Sequence, residues 1–433
     1  MSLTSKQKRI LLIGGSLFFG FILLAVLFSR RQLPKKTLEI WGFNDSAEVF
    51  NQLTADFRKN YPNIYINYIQ KNEDAFHDDL LKAFANNSAP DIIMAYGSWL
   101  PYYQSRIYPL DLNQEKELNL FYLNQNYPEI IKNDLISGHY LLGIPLSVDT
   151  LALFYNKDVF NYLNIALPPK TWEEITELVP KLRRINDYGQ INRAAISLGA
   201  NNVLWHNDIL SALIYQLNGE IVDKSKKEFI WQNEVVFADR KIDPIETALN
   251  FYLSFSNPHS PSFTWSDDLE DSLSAFSKGK TVMAIGYFQD AKKIKNLNPN
   301  LSFDFASLPY FQNNPSKINY GRTVNLVVLK NSQHPQEAWL FLKFLSQEEV
   351  SKKYFLLTKN PPSRLDLIQN YLNDPASGVF VRQILTSRDW YQFNFKTINQ
   401  VFDEMINQIV YKNKYVLDAV EDAANKLEFF WSQ

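Results

Sequence analysis

The sequence predicts an α/β protein of two lobes preceded by one transmembrane helix, and three observations carry that expectation. Residues 10–28 (ILLIGGSLFFGFILLAVLF) hold no charged side chain. From Thr37 to Tyr96 the apolar periodicity reads strand, helix, strand, helix, strand. Roughly 400 residues follow the apolar run, more than one hydrophobic core usually organises.

A helix over residues 10–28 spans roughly 28 Å, close to the hydrocarbon thickness of a bilayer. A buried core helix of this length would show a polar stripe, and this run has none. A cleaved signal peptide is the rival reading, but such peptides end in small residues, whereas this run meets Phe28, Ser29, Arg30 and Arg31. The chain has 0 Cys, so neither a lipidated cysteine nor a disulfide is available and the helix itself is the expected tether to the lipid bilayer. Residues 1–9 read as a basic cytoplasmic N-terminus and residues 29–36 as a basic spacer. Basic residues flank both ends of the span in similar number, so charge alone biases its orientation little.

Thr37 to Phe43 reads as a strand, and Asn44, Asp45 and Ser46 supply helix-start chemistry before an apolar face of Val49, Phe50, Leu53 and Phe57. Tyr61 and Pro62 end that helix, and Ile64, Ile66 and Tyr68 alternate along a second strand. Phe76, Leu80, Leu81 and Phe84 recur at helical spacing before a short buried strand from Asp91 to Tyr96. This alternation argues for a mostly parallel sheet that binds ligands at the carboxyl ends of its strands. His139–Leu146 and Leu151–Tyr155 are apolar runs separated by Ser147, Val148, Asp149 and Thr150, read as a hinge. Thr171 opens a helix with Glu174 three residues on, the capping-box arrangement. Ala194–Leu198, Thr281–Tyr287 and Val324–Leu329 read as strands, Leu204–Leu217 and His334–Leu345 as helices. The rest reads as mainly helical with breaks at Pro361, Pro362 and Pro375.

The 44 basic residues are balanced by 46 acidic ones, which removes the positive footprint that nucleic acid requires. The five histidines (His77, His139, His206, His259, His334) have no metal-ligand spacing. Gly279, Lys280 and Thr281 imitate the end of a phosphate loop, but Ser274 stands where its first glycine belongs. The acidic cluster of Asp267, Asp268, Glu270 and Asp271 reads as the start of a helix rather than as a catalytic pair. No residue asks for catalysis or a cofactor. Aromatic residues are 15% of the chain, a load that can line a cleft as well as fill a core.

Six segments in order resemble the extracellular solute-binding proteins of ABC importers, in their carbohydrate-binding, maltose-binding-like branch. They are LEIWGFNDSAEVFNQLTADFRKNYPNI, APDIIMAYGSWLPYYQSRIYPLD, GIPLSVDTLALFYNKDVF, PPKTWEEI, FSKGKTVMAIGYFQDA, and a late run from NYGRTVNLVVLKNS to HPQEAWLFLKFL. The resemblance implies a type II periplasmic-binding-protein-like fold, with lobe I at 37–146 plus 278–319 and lobe II at 147–277 plus 320–433. It implies a monomeric, non-enzymatic binder on the extracytoplasmic side of the membrane, with a sugar or oligosaccharide as ligand and ABC permease subunits as partners. Cleft contacts carried over by motif are Trp41, Asn44, Asp45, Tyr96, Ser98, Trp99, Asp149, Tyr287, Phe288, Gln289 and Arg322, with Trp205 and His206 matched more loosely. Such rings cover the apolar face of a pyranose while carboxylates, amides and guanidinium take its hydroxyls. Retention of a membrane helix departs from the family. An anchored glycoside-acting enzyme and a surface receptor for a non-sugar solute are the alternatives.

Overall fold

The structure, a computed structural model, describes residues 34–223, 228–313, 317–392 and 394–432. The expected membrane span at 10–28 and the basic N-terminus lie outside the described residues. Among the described residues no helix is long and apolar enough to cross a membrane.

The chain begins with the expected alternation. Strand β1 (Lys36–Gly42) buries Leu38 and Ile40, and α1 (Ala47–Asn60) buries Phe50, Leu53, Thr54 and Phe57 on one stripe. Strand β2 (Ile64–Gln70) runs parallel to β1 from Lys36↔Ile64 to Gly42↔Gln70. Helix α2 (Glu73–Ala85) is capped by Asn72, whose side chain accepts from the N–H groups of Asp74 and Ala75. Strand β3 (Ile92–Tyr96) is buried throughout and lies parallel on the other side of β1. Gly97 follows because a Cβ there would strike the Asp134 carboxylate and the Thr323 hydroxyl, which bond each other at this point.

Strands β4 (Ile144–Thr150) and β5 (Ala152–Asn156) are separated by a single residue, Leu151, yet belong to different sheets. Helix α3 (Trp172–Leu182) starts at Thr171, whose hydroxyl accepts from the Glu174 N–H at 3.2 Å, while the Glu174 carboxylate reaches back to the N–H of Lys170. After β6 (Arg184–Ile185) and β7 (Ile191–Ile196) come α4 (His206–Gln216), β8 (Thr281–Gly286), α5 (Phe288–Leu297) and β9 (Phe303–Ser307). The long β10 (Asn319–Val328) leads to α6 (Pro335–Leu345), α7 (Glu348–Thr358), the short β11 (Ser387–Arg388) and the helices α8 (Phe395–Lys412) and α9 (Val416–Ser432).

Two sheets result. The first has the order β11-β10-β3-β1-β2 with β4 also paired to β10, and the second β9-β5-β8-β7-β6. Both are mixed, because β10 returns antiparallel to β3 and β5 runs antiparallel to β8. Each sheet has its own core, one from Leu38 to Val148 plus Val324 to Ile384, the other from Leu151 to Tyr320 plus Trp390 to Trp431. A smaller phenylalanine cluster joins Phe154, Phe276, Phe288 and Phe380. The molecule is thus a two-lobed α/β protein.

This pairing corrects the expected lobe boundaries. Residues 278–319, expected in lobe I, hold β8, α5 and β9, and β8 pairs with β5 and β7 of the second sheet. Residues from Val324 to Ile384, expected in lobe II, fill the first core. The apolar runs were correctly read as strands, but hydrophobicity carries no information about which sheet a strand joins. The expected hinge at 147–150 is also displaced. Those residues are ladder positions of β4 opposite β10, and the chain changes sheet at Leu151. There the Leu151 N–H donates to the Tyr320 carbonyl, and its own carbonyl accepts from the amides of Asn319 at 2.7 Å and Gln383 at 3.1 Å.

Trp172 is fully buried in the second core and donates its indole N–H to Gln216 at 2.7 Å. Trp172→Ala is expected to lower stability by about 3–5 kcal/mol, read from denaturant unfolding of the two forms.

Candidate functional site

Between the two cores, the ends of several strands face one another. Tyr96 closes β3 and Tyr287 follows β8, Asp149 lies on β4 and Arg322 on β10, and Trp205 precedes α4. All five line one narrow cleft together with Glu73, Gln289, Asp290, Lys293 and Val324. Its free space is about 20 Å³, room for about one water. Strand ends are where open α/β sheets leave backbone groups and loops free for a ligand.

Arg322 occupies the centre. Its guanidinium is 2.8 Å from Asp208 of α4 and lies 4.0 Å from the ring centre of Trp205, 4.8 Å from Tyr287 and 5.0 Å from Tyr96. Burial works against its charge, but Asp208 and the surrounding tyrosines outweigh that and raise its pKa above the ordinary guanidinium value. The Tyr287 hydroxyl donates to the same Asp208 oxygen at 2.8 Å, and that of Tyr96 donates to Glu73 at 2.7 Å. Both phenols are raised well above their usual pKa, by burial first and then by the neighbouring carboxylate. They remain hydrogen-bond donors at neutral pH.

Asp290, in the first turn of α5, accepts the Tyr287 N–H at 2.9 Å and the Trp205 indole N–H at 2.7 Å through one oxygen. Its other oxygen accepts no hydrogen bond, and the Lys293 ammonium stands 3.6 Å away. Trp205 has a left-handed backbone, φ 64°, a conformation that costs a bulky residue energy and concentrates at functional sites. Asp149 accepts the N–H groups of Thr150 at 2.9 Å, Phe288 at 3.1 Å and Gln289 at 3.4 Å, the latter two at the start of α5. Burial nevertheless pushes its pKa up to about 7, with Asp290 adding to the rise.

Seven other expected contacts do not line the cleft. Asp45 is buried behind it, accepting from the hydroxyl of Tyr354 at 2.8 Å and the amide of Asn360 at 3.4 Å, and burial raises its pKa to about 6. Asn44 donates to the Tyr96 hydroxyl at 3.3 Å. Trp99 packs among Phe43, Phe76 and Tyr96, and Ser98 sits half-buried in the turn between Tyr96 and Trp99. Trp41 is covered by Lys71, whose ammonium is 3.8 Å from its ring centre. The Phe288 ring joins the phenylalanine cluster at 5.4 Å from Phe380, leaving its backbone N–H at Asp149. His206 turns away to Asp403 of α8 at 2.8 Å, because consecutive residues entering a helix diverge by about 100°.

Glu73, Asp208, Asp290, Lys293 and Val324 were not anticipated. Asp290 follows the quoted GYFQ and was within reach of the motif. Glu73 and Asp208 look in sequence like ordinary acidic residues of a helix first turn. Lys292 of α5 also crosses between lobes, donating to the Thr358 carbonyl at 3.1 Å and to Asn360 at 3.2 Å.

Comparison with known proteins agrees with this architecture. The family model described as bacterial extracellular solute-binding protein matches residues 43–352. An uncharacterized ABC transporter extracellular-binding protein of Pyrococcus horikoshii is 22% identical over 376 residues, covering 82% of this chain and 78% of that protein. Among solved structures, an ABC transporter solute-binding protein from Thermotoga lettingae superposes with TM-score 0.71 at 19% identity, covering 92% of this chain and all of that one. The sugar-binding protein MalE from Xanthomonas citri gives 0.71 at 20% identity, covering 92% and 98%. At such identities the structural likeness establishes the fold.

Asp45 and Asp149 both hold their protons more tightly folded than unfolded. The stability they contribute is therefore fully present below about pH 4 and is lost as pH rises through about 6 and 7. Raising pH from 5 to 8 is expected to lower stability by on the order of 2 kcal/mol per group. Chemical denaturation across this range checks it. A flat profile in the wild type, or an unchanged slope in Asp45→Asn and Asp149→Asn, would refute the assignment.

Proposed function

This chain belongs to the bacterial extracellular solute-binding protein family, and from that premise we propose that it captures a sugar or oligosaccharide between its lobes and delivers it to an ABC permease. The observation that carries this reading is the gathering of Tyr96 from the first lobe with Trp205 and Tyr287 from the second around Arg322. Flat ring faces beside carboxylate, amide and guanidinium groups suit the alternating apolar and hydroxyl surfaces of a saccharide. The Thermotoga lettingae neighbour is bound with alpha-D-tagatose, and the Xanthomonas citri one is described as sugar-binding, which supports the same ligand class. Capture proceeds by hinge closure about the crossings at Leu151 and Tyr320. The ligand bonds both lobes at once and so favours the closed arrangement.

Residues 10–28 serve as an uncleaved anchor that holds the binding lobes on the extracytoplasmic face beside the permease, where tethering raises the effective concentration of the second encounter.

A saccharide ligand is expected to raise the melting temperature of the full chain in a thermal-shift panel, and Trp205→Ala to weaken that ligand by about ten- to a hundredfold. Shifts with peptides or polyamines and none with sugars would exclude the carbohydrate reading. For the anchor, the intact chain is expected in the membrane pellet after an alkaline wash. A shortened chain in the soluble fraction would show cleavage instead.

A further inference from the structure

A guanidinium recognises carboxylates and phosphates through paired N–H donors, so an arginine at the centre of a cleft is by itself a site for an anion. Arg322 holds that place, with ring centres from both lobes 4.0, 4.8 and 5.0 Å away. Its charge is nevertheless already matched. Asp208, in the first turn of α4 and 4% exposed, stands 2.8 Å from the guanidinium and does not itself line the cleft.

The other cation of the lining is matched as well, since the half-exposed Lys293 lies 3.6 Å from Asp290. The remaining carboxylates of the lining are held by uncharged donors, Asp149 by the N–H groups of Thr150, Phe288 and Gln289, and Glu73 by the Tyr96 hydroxyl. An anionic ligand therefore meets no lining cation that lacks a carboxylate of its own. An uncharged, hydroxylated ligand asks for donors and acceptors rather than for net charge, and paired groups still offer both.

Of the two pairs, the one at Lys293 is half open to water and is screened, whereas the one at Arg322 lies between the lobes with a buried carboxylate. Resting on the saccharide reading above, we infer that Asp208 is the positioning residue that fixes the charge selectivity of the cleft: by matching Arg322 from outside the lining, it reserves the site for uncharged saccharides and turns away uronates and sugar phosphates. An anion at Arg322 has to compete with Asp208 and bring a second negative charge beside it, in a site shielded from water. The Tyr287 hydroxyl donates to the same Asp208 oxygen at 2.8 Å, and an amide oxygen in that place still accepts it. Asp208→Asn thus removes the charge while keeping the acceptor.

The test is isothermal titration of the full chain with matched sets, each a neutral sugar, its uronate and its phosphate ester, in the glucose and galactose configurations and as disaccharides. Within any set that binds, the wild type is expected to hold the neutral member at least about tenfold tighter than either anion. In Asp208→Asn the anions are expected to gain at least about tenfold on the neutral member, a gain that falls as salt rises. Adding Arg322→Gln to Asp208→Asn is expected to abolish that gain, and Asp208→Glu to keep the wild-type ratio. A wild type that binds an anionic member as tightly as the neutral one overturns the inference even where Asp208→Asn does not fold. A folded Asp208→Asn that weakens every member alike, leaving the ratio unmoved, overturns it too, and both results leave saccharide capture intact. Failure of every saccharide, whatever its charge, overturns the capture reading and this one with it.

Discussion

The ion pair between the half-buried Arg322 and the buried Asp208 is the constraint around which the space between the lobes is arranged. A guanidinium removed from water must recover its lost hydration from a close anion and from hydrogen-bonding or π partners, or the cost reaches several kcal/mol. Here the anion comes from α4 of the second lobe, and ring faces come from both lobes. The positions of Trp205, Tyr287 and Tyr96 are therefore coupled to one charge. Tyr287 and Arg322 share the same Asp208 oxygen, so the tyrosine hydroxyl is oriented by the same group that matches the cation. The arrangement holds one cation between a single carboxylate and three aromatic rings.

Arg322 can serve both lobes because β10 does. Its later residues pair with β3 and β4 of the first sheet, while Tyr320 near its start is buried in the second core. Leu151, on the neighbouring crossing, is bonded to β10 by its own N–H and by the Asn319 amide, and Gln383 closes the set through hydrogen bonds to both residues. Side-chain amides thus tie the two crossings to each other where the chain passes between the lobes. Away from the crossings, Lys292 adds a further link between the lobes through Thr358 and Asn360.

The helices and strands of the first lobe were legible because local spacing determines them. Phe50, Leu53 and Phe57 form one helical stripe, and Leu38 and Ile40 alternate on a strand, whatever the rest of the chain does. The start of α3 at Thr171 was likewise written in its capping residues. The site was legible in half. Tyr96, Asp149, Trp205, Tyr287, Gln289 and Arg322 were anticipated and do meet, whereas Trp99 and Trp41, equally aromatic and equally near strand ends, are packed by Phe43 and Lys71. Which face of a strand end looks into a cleft depends on the neighbour that covers the other face, and that neighbour is distant in sequence.

The sequence by itself determined the alternating elements, the balance of charge and the aromatic load, because each is a property of composition or of residues within one or two turns of one another. Only the tertiary structure decided that β8 and α5 belong to the second lobe, that the chain changes sheet at Leu151, and that Asp208, Asp290 and Glu73 close on Arg322 and the rings. Those outcomes depend on strand pairing and on charge compensation between residues separated by tens to more than a hundred positions, and the free energy of such contacts exists only once the chain has brought them together.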